Sequence, residues 1–183
     1  MTIISLISSS DPKGFGTMLA DKAAEGAREA GKEVETFRLH GLNVTPCINC
    51  RKCRENGGHC VLKDDATPIL EKIRDSEGII VTCQIRFARI DGKMKTFLDR
   101  FYCFMTDDGT VLKKGKKQVI IVTAGANDRN VESESKELER MLDQYFLFEP
   151  AGRVTYVSYL ADPELGFFDD TVLDKAEEAG RGL

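Results

Sequence analysis

Apolar residues recur along this chain in short β-rich runs that alternate with stretches of helical period. Thr2 to Ser8 (TIISLIS) reads as a buried first strand. A polar loop, Ser9 to Gly16, feeds a helix from about Thr17 to Ala30, with Met18, Leu19, Ala23, Ala27 and Ala30 on its inner face. Gly31 stops that helix, as a glycine just past the last turn commonly does. Val34 to Leu39 is a second strand, followed by a long connection. Pro68 opens a helix carrying Ile69, Leu70 and Ile73, which ends before Gly78. Gly78 to Cys83 is almost continuously apolar, as expected of a central parallel strand. A loop from Gln84 to Asp91 precedes a helix with Met94, Phe97, Leu98 and Phe101 at helical spacing. Gln118 to Thr123 is a fourth strand, ending in Ala124-Gly125-Ala126-Asn127. A charged helix from about Glu132 to Tyr145 follows, carrying Leu138, Met141, Leu142 and Tyr145. Arg153 to Leu160 is a fifth strand, and Thr171 to Ala179 a terminal helix.

Five βα units in a row predict an α/β fold: a doubly wound, five-stranded parallel sheet between two helical layers, α/β/α. No Pro/Ser-rich linker, internal repeat or low-complexity segment interrupts it, so residues 1–183 read as one domain with a cysteine-rich insertion at about 45–65. Such sheets bind ligands at the carboxyl ends of their strands, near the switch in strand order. That brings three loops to one site: Ser8 to Thr17, Gln84 to Asp91, and Thr123 to Asn127.

A length of 183 residues suffices to bury a core without staples, and 42% hydrophobic with 31% charged residues is a globular composition. The net charge of −4 argues against nucleic acid, whose binders are usually basic. No apolar stretch approaches the roughly 18 residues of a membrane span, and the start Met-Thr-Ile-Ile-Ser has no basic region or secretory core. A cytoplasmic location is therefore expected. In that reducing setting the six Cys read as metal ligands or redox groups rather than a disulfide framework.

Four of those thiols are concentrated in CINCRKCRENGGHC, where Cys47, Cys50 and Cys53 are followed by Cys60. Two-residue spacers let neighbouring thiolates converge, and three at that pitch with a fourth nearby are what a cuboidal iron–sulfur cluster requires. Zinc and a reduced, metal-free loop are the alternatives. Common zinc signatures separate their C-x-x-C pairs by about 15 to 20 residues. Here the fourth thiol follows much sooner.

The first loop, SSSDPKGFGT, lies between the first strand and the first helix. Hydroxyls, a lysine and two glycines at a helix start suit a phosphate, because backbone N–H groups and the helix dipole both favour the anion. The loop lacks the G-x-G-x-x-G and Walker signatures, so a phosphomonoester cradle of the flavodoxin type fits better. A polar turn capped by Thr17 is the alternative.

Together these pieces resemble the NAD(P)H-dependent FMN reductase branch of the flavodoxin-like superfamily, and within it the iron–sulfur flavoproteins. The resemblance runs over nearly the whole chain. It rests on the Ser-rich loop leading to Lys13-Gly14-x-Gly16-Thr17, the cysteine run, Cys60-Val61-Leu62-Lys63-Asp64-Asp65, and the segment Gly92-Lys93-Met94-Lys95-Thr96-Phe97-Leu98-Asp99-Arg100. It implies a flavodoxin-like fold and non-covalent FMN, its phosphate held by Ser8, Ser10, Lys13, Gly14, Phe15, Gly16 and Thr17. The ring would be bordered by Gln84, Ile85, Arg86 and Phe87 and by Thr123, Ala124, Gly125 and Asn127. A 4Fe–4S cluster would sit on Cys47, Cys50, Cys53 and Cys60, close to FMN. The family usually carries Pro-Val-Tyr-aromatic where this chain has Gln84-Ile85-Arg86-Phe87, so the Tyr stacking partner would be lost and Arg86 and Arg89 would lie near the flavin, with solvent or an acidic surface of a partner subunit as the alternatives for them. An Arg at the pyrimidine edge would stabilise anionic reduced flavin.

The implied function is FMN-dependent electron transfer between a reduced carrier, such as ferredoxin, and an acceptor, in a homodimer or homotetramer. One alternative is an NAD(P)H-dependent FMN or quinone reductase without a cluster. Another is a non-enzymatic flavodoxin-fold binding protein that has lost FMN. No Ser-His-Asp arrangement or general-base pair is visible, which suits chemistry carried by a flavin. Cys83 and Cys103 read as small core residues. His59 reads as a loop residue, and His40 has no evident role. Lys113-Lys114-Gly115-Lys116-Lys117 reads as a solubilising turn, with an NADPH phosphate or an acidic partner as alternatives. Asp64-Asp65 reads as a helix cap, and Asp99-Arg100 as a structural ion pair.

Overall fold

The structure, a computed structural model, describes residues 1–125, 130–158 and 170–183. Parallel strands β1 (Thr2–Ile7), β2 (Glu33–Arg38), β3 (Gly78–Arg86), β7 (Lys117–Ala124) and β8 (Glu149–Val157) form a sheet in the order β2-β1-β3-β7-β8. Strand order reverses between β1 and β3, which makes the carboxyl edge there the switch point of a flavodoxin-like sheet. The five expected parallel strands are thus present, and a short antiparallel strand, β4 (Arg89–Ile90), is added to β3. A separate hairpin joins β5 (Met105–Thr106) to β6 (Gly109–Thr110).

The apolar runs are nearly continuous because both faces of the sheet are covered. Ile4, Leu6, Ile79, Val81, Ile120 and Val122 face one layer: α3 (Ala66–Asp75), α4 (Gly92–Asp99), the 3-10 turn Arg100–Phe104, and α5 (Val131–Phe146). Ile3, Ile80, Val119, Ile121 and Val154 face the other: α1 (Phe15–Glu29) and α6 (Asp170–Arg181). These last two helices lie backbone to backbone. A Cβ on Gly180 would fall 1.9 Å from the Ala23 carbonyl oxygen, so only glycine permits the contact. Among the described residues no helix is long and apolar enough to cross a membrane.

Several elements differ from the sequence expectation. Met18, Ala30 and Tyr145 are exposed rather than inward, because they fall at the edges of their helical stripes. Helix α3 begins at Ala66, two residues before Pro68, whose missing N–H costs nothing in a first turn. Strand β8 begins at Glu149 rather than Arg153, and its Pro150 is tolerated because β8 is an edge strand. The end of the expected fifth strand, Tyr159 and Leu160, lies outside the described residues.

Candidate functional site

The loop after β1 turns at the carboxyl edge and runs straight into α1. Gly14 is the helix N-cap, no side chain caps the helix, and its first turn carries no acidic residue. That start therefore presents backbone N–H groups and a positive dipole end to an anion. Thr17 is fully buried and its Oγ1 donates to the Asp11 carbonyl oxygen at 2.8 Å, while Arg38 Nη1 donates to the same Oγ1 at 3.2 Å. Ser10 and Lys13 are exposed, and Phe15 packs against Tyr156 with ring centroids 5.1 Å apart. Gly16 rests on the sheet edge, where a Cβ would lie 3.4 Å from Thr123 Oγ1 and 3.5 Å from Thr82 Cγ2. The buried Thr82 hydroxyl has no partner among the described residues. An uncapped helix start, a neighbouring guanidinium and exposed Ser10 and Lys13 fit a phosphomonoester.

Ser8 departs from its expected part. Its hydroxyl is buried and donates to Asp91 Oδ2, turned towards the sheet rather than the cradle. Ser9, which the sequence did not single out, bonds the Asp11 amide at 3.2 Å and accepts from Gln84 Nε2 at 3.1 Å. Asp91 is a second residue the sequence missed. Its Oδ1 caps α4 through Met94 N at 3.0 Å, and its Oδ2 accepts from Gln84 N at 3.1 Å as well as from Ser8. The signal was present, since Asp two residues before Lys93 and ahead of an apolar helix is an N-cap pattern.

The expected loop from Gln84 to Asp91 is instead a β-hairpin. Gln84, Ile85 and Arg86 continue β3, and Phe87 and Ala88 form the turn with φ of 51° and 67°. Two positive φ values in a two-residue turn usually call for Asn-Gly, so a Phe there is strained. Phe87 is 101% exposed, Ile85 is buried, and Arg86 Nη2 donates to Gln84 Oε1 at 2.7 Å. Arg89 reaches away to pair with Glu134 on α5. On the third loop, Thr123 and Ala124 are buried and Gly125 is exposed, while Ala126 and Asn127 lie outside the described residues.

The cysteine segment leaves the carboxyl end of β2 and packs beside the 3-10 turn Arg100–Phe104. Cys47, Cys50, Cys53 and Cys60 all line one small cavity of about 20 Å³, together with Arg100, Tyr102 and Cys103. Asn49 and Arg51 take left-handed conformations, and helix α2 (Lys52–Glu55) forms a single turn. Gly58 has φ of 82°, and a Cβ there would lie 2.9 Å from the Cys103 carbonyl oxygen, so the Gly57-Gly58 turn suits this approach. Arg74 Nη1 donates to the Gly57 carbonyl at 3.1 Å and its Nη2 to that of Gly58. His59 pairs with Glu71 at 2.8 Å and stays half exposed.

Burial and the nearby Cys60 and Cys50 thiols push Cys53 up, and burial with Cys60 and Cys53 pushes Cys103 up to about 12. Thiols this close resist shedding several protons together unless a cation compensates, which is the chemistry of a metal-binding donor set. The set fits a thiolate-bound centre, and Arg100 Nε, buried in the cavity wall, has no partner among the described residues. The space itself holds about one water, so a larger group requires the loop to spread. Among the described residues, no three Cys, His, Asp or Glu groups are gathered closely enough for a single metal ion.

Two charge assignments change. Asp99 pairs with Lys95 and not with Arg100, whose guanidinium reaches Asp64 at 2.6 Å with both side chains buried. Adjacent helical residues point about 100° apart, so the two cannot share one direction. Asp64 does cap α3, accepting from Ala66 N at 3.2 Å and Thr67 N at 3.3 Å. Its own burial pushes its pKa up, but hydrogen bonds from Arg100 and Thr45 N outweigh that and hold it at about 2. Within the lysine run, Lys116 is buried rather than solvated and donates to the Ile73 and Ser76 carbonyls at the C-terminal end of α3.

An apolar groove of about 640 Å³ lies apart from the cradle, between α4 and α5, with Leu98, Tyr102, Leu138, Met141 and Tyr145 in its walls.

The profile of the family described as NADPH-dependent FMN reductase matches residues 1–151. An iron–sulfur flavoprotein of Methanocaldococcus jannaschii is 33% identical over 100 residues, 55% of this chain and 51% of that protein. The chain thus spans about half the length of the curated relative it matches. Among solved structures, an NAD(P)H:quinone oxidoreductase from Methanothermobacter marburgensis aligns with a TM-score of 0.72 at 18% identity, covering 99% of this chain and 98% of that one. An FMN-dependent NADH-azoreductase from Bacillus anthracis, solved in complex with FMN, gives 0.66 at 16% identity, covering 98% and 95%. At these identities the structural likeness speaks for the fold.

Proposed function

The chain belongs to the NADPH-dependent FMN reductase family; from that premise we propose that it is a flavin-dependent oxidoreductase that binds FMN at the switch between β1 and β3 and a 4Fe–4S cluster at Cys47, Cys50, Cys53 and Cys60. When bound, these groups supply two-electron and single-electron chemistry, and the protein's part is to hold and tune them. The N-terminal turn of α1, with Ser10, Lys13, Gly14, Phe15, Gly16 and Thr17, would take the FMN phosphate, and Arg38 would add a cation. Ser8 has the indirect part of tying the cradle to Asp91. Gln84, Ile85, Arg86 and Phe87, with Thr123, Ala124, Gly125 and Asn127, would border the ring and keep water from it. The relative's name, iron–sulfur flavoprotein, supports the cysteine assignment.

One observation carries the reading. Helix α4 is capped at its start by Asp91, which holds Ser8 and Gln84, and is followed at its end by Arg100, which holds Cys60 and Asp64. Nine residues at 1.5 Å rise separate those ends, roughly 14 Å, so one rigid rod braces both sites. A reduced one-electron carrier such as ferredoxin, or NAD(P)H, would be the donor. A homodimer or homotetramer is part of the reading, because the groove between α4 and α5 leaves Tyr145 exposed and Met141 only partly buried within the chain.

The cavity's small volume favours a second reading, an NAD(P)H-dependent FMN or quinone reductase whose cysteine loop stays metal-free. Anaerobic purification, with a visible spectrum and iron and acid-labile sulfide analysis, separates the two. Flavin bands over a broad visible absorption, with four irons and four sulfides per chain, are expected; flavin without iron after reconstitution leaves the second reading standing. Cys53→Ala should lose its iron, and full retention would refute the ligand assignment.

A further inference from the structure

Arg100 is 1% exposed, the largest of the fully buried side chains among the described residues, yet its sequence neighbour Asp99 pairs with Lys95 instead. A guanidinium has five N–H donors. Nη1 donates to Asp64 Oδ2 at 2.6 Å and to the Thr45 carbonyl at 2.9 Å, and Nη2 donates to Thr67 Oγ1 at 3.0 Å and to Cys60 Sγ at 3.3 Å. Nε is the fifth, buried and unpartnered, on a side chain that lines the cysteine cavity.

These contacts close a loop. Thr45 precedes the first cysteine, and its peptide is held on both sides: its N–H by Asp64 Oδ2 at 2.8 Å and its carbonyl by Arg100. Cys60, Asp64 and Thr67 follow the run, so a single side chain ties its entry to its exit. Asp64 neutralises the guanidinium charge, which leaves the directed N–H···S bond as the means by which Arg100 affects Cys60. Hydrogen bonds to the sulfurs are among the factors that set a cluster's potential: they withdraw electron density from the ligand and favour the reduced, more negative state.

We propose that Arg100 is the positioning residue of the cysteine site, anchoring Cys60 to the end of α4 and raising the reduction potential of a cluster bound there through its Nη2–H···Sγ bond. The proposal rests on the reading that the four cysteines take a cluster. Cys60 then differs electronically from Cys47, Cys50 and Cys53, for which no such bond to Arg100 is present.

The test uses the full chain reconstituted anaerobically with iron and sulfide. Arg100→Lys keeps the charge and removes the forked geometry. With iron and sulfide content matched to wild type, its midpoint potential should fall, and the reduced wild-type protein labelled with 15N-arginine should show a nitrogen hyperfine coupling in pulsed electron paramagnetic resonance. The resonance measurement needs no variant and so stands if Arg100→Lys fails to fold. A loaded wild-type cluster without the coupling, or a loaded variant with an unchanged potential, overturns the role of Arg100 alone. A wild-type protein that takes up neither iron nor sulfide overturns the cluster reading and this proposal together.

Discussion

Lys116 offers a direct measure of what burial costs this fold. The side chain is 3% exposed, and burial, followed by repulsion from Lys113, pushes its pKa down from the ordinary 10.5 to about 8. A difference of that size opposes the charged form by about 3 kcal/mol at neutral pH. In the unfolded chain the amine keeps its proton up to its ordinary pKa, whereas the folded chain releases it near 8. Between those values the unfolded state binds more protons, so stability should rise with pH, and below pH 8 the cost is fully present. Lys116→Met removes the titration. Urea unfolding of the metal-free, reduced protein, followed by circular dichroism from pH 7 to pH 10.5, isolates the effect, because thiol titration is common to both proteins. The stability of wild type relative to the variant should grow by about 3 kcal/mol across that range. A difference constant with pH would refute the reasoning. It would mean that the Ile73 and Ser76 carbonyls, which accept from Nζ, stabilise the ammonium as much as burial penalises it.

Arg38→Ala should weaken FMN binding about tenfold, the loss of roughly 1.4 kcal/mol expected for one charge-assisted contact, while riboflavin affinity stays unchanged. Fluorescence titration with both ligands checks this, and equal losses would place Arg38 away from the phosphate. Phe87→Asn supplies a residue that tolerates the left-handed turn and should raise the stability of the flavin-free protein by up to about 1 kcal/mol. FMN should bind more weakly to that variant; unchanged binding in the same titration would leave the strained phenylalanine without a part in the flavin site.

What the sequence made legible follows from where physics is local. Strands buried on both faces must be apolar nearly throughout, so the runs Thr2–Ser8, Gly78–Cys83 and Gln118–Thr123 stand out and fall on β1, β3 and β7. Thiols at two-residue pitch have few structural uses, so Cys47, Cys50 and Cys53 are conspicuous, and the cradle is recognisable from its place between a strand and a helix. The hairpin after β3 was hidden because its turn residues, Phe87-Ala88, carry none of the usual Asn-Gly signal. Charge was the least legible property. A lysine in a basic run and an arginine beside an aspartate look solvated or locally paired, and only the tertiary fold buries Lys116 beneath α3 and turns Arg100 onto Asp64, 36 residues away.

The misreading of Arg100 also hid the element that joins the two candidate sites. Their link is α4, whose middle is anchored by Met94 and Phe97, both fully buried against the sheet. With those two residues fixing the helix's rotation, its ends are fixed as well: the Asp91 carboxylate beside the loop after β1 and the Arg100 guanidinium at the cysteines. Neither terminal contact is made to a residue of α4 itself, and each crosses more than 35 positions of chain to reach Ser8 or Cys60. A displacement of the cysteine loop that moves Arg100 therefore pulls on the same rigid element that holds Ser8 and Gln84 through Asp91. This mechanical continuity makes α4, rather than either loop, the element on which the joint geometry of the two sites depends.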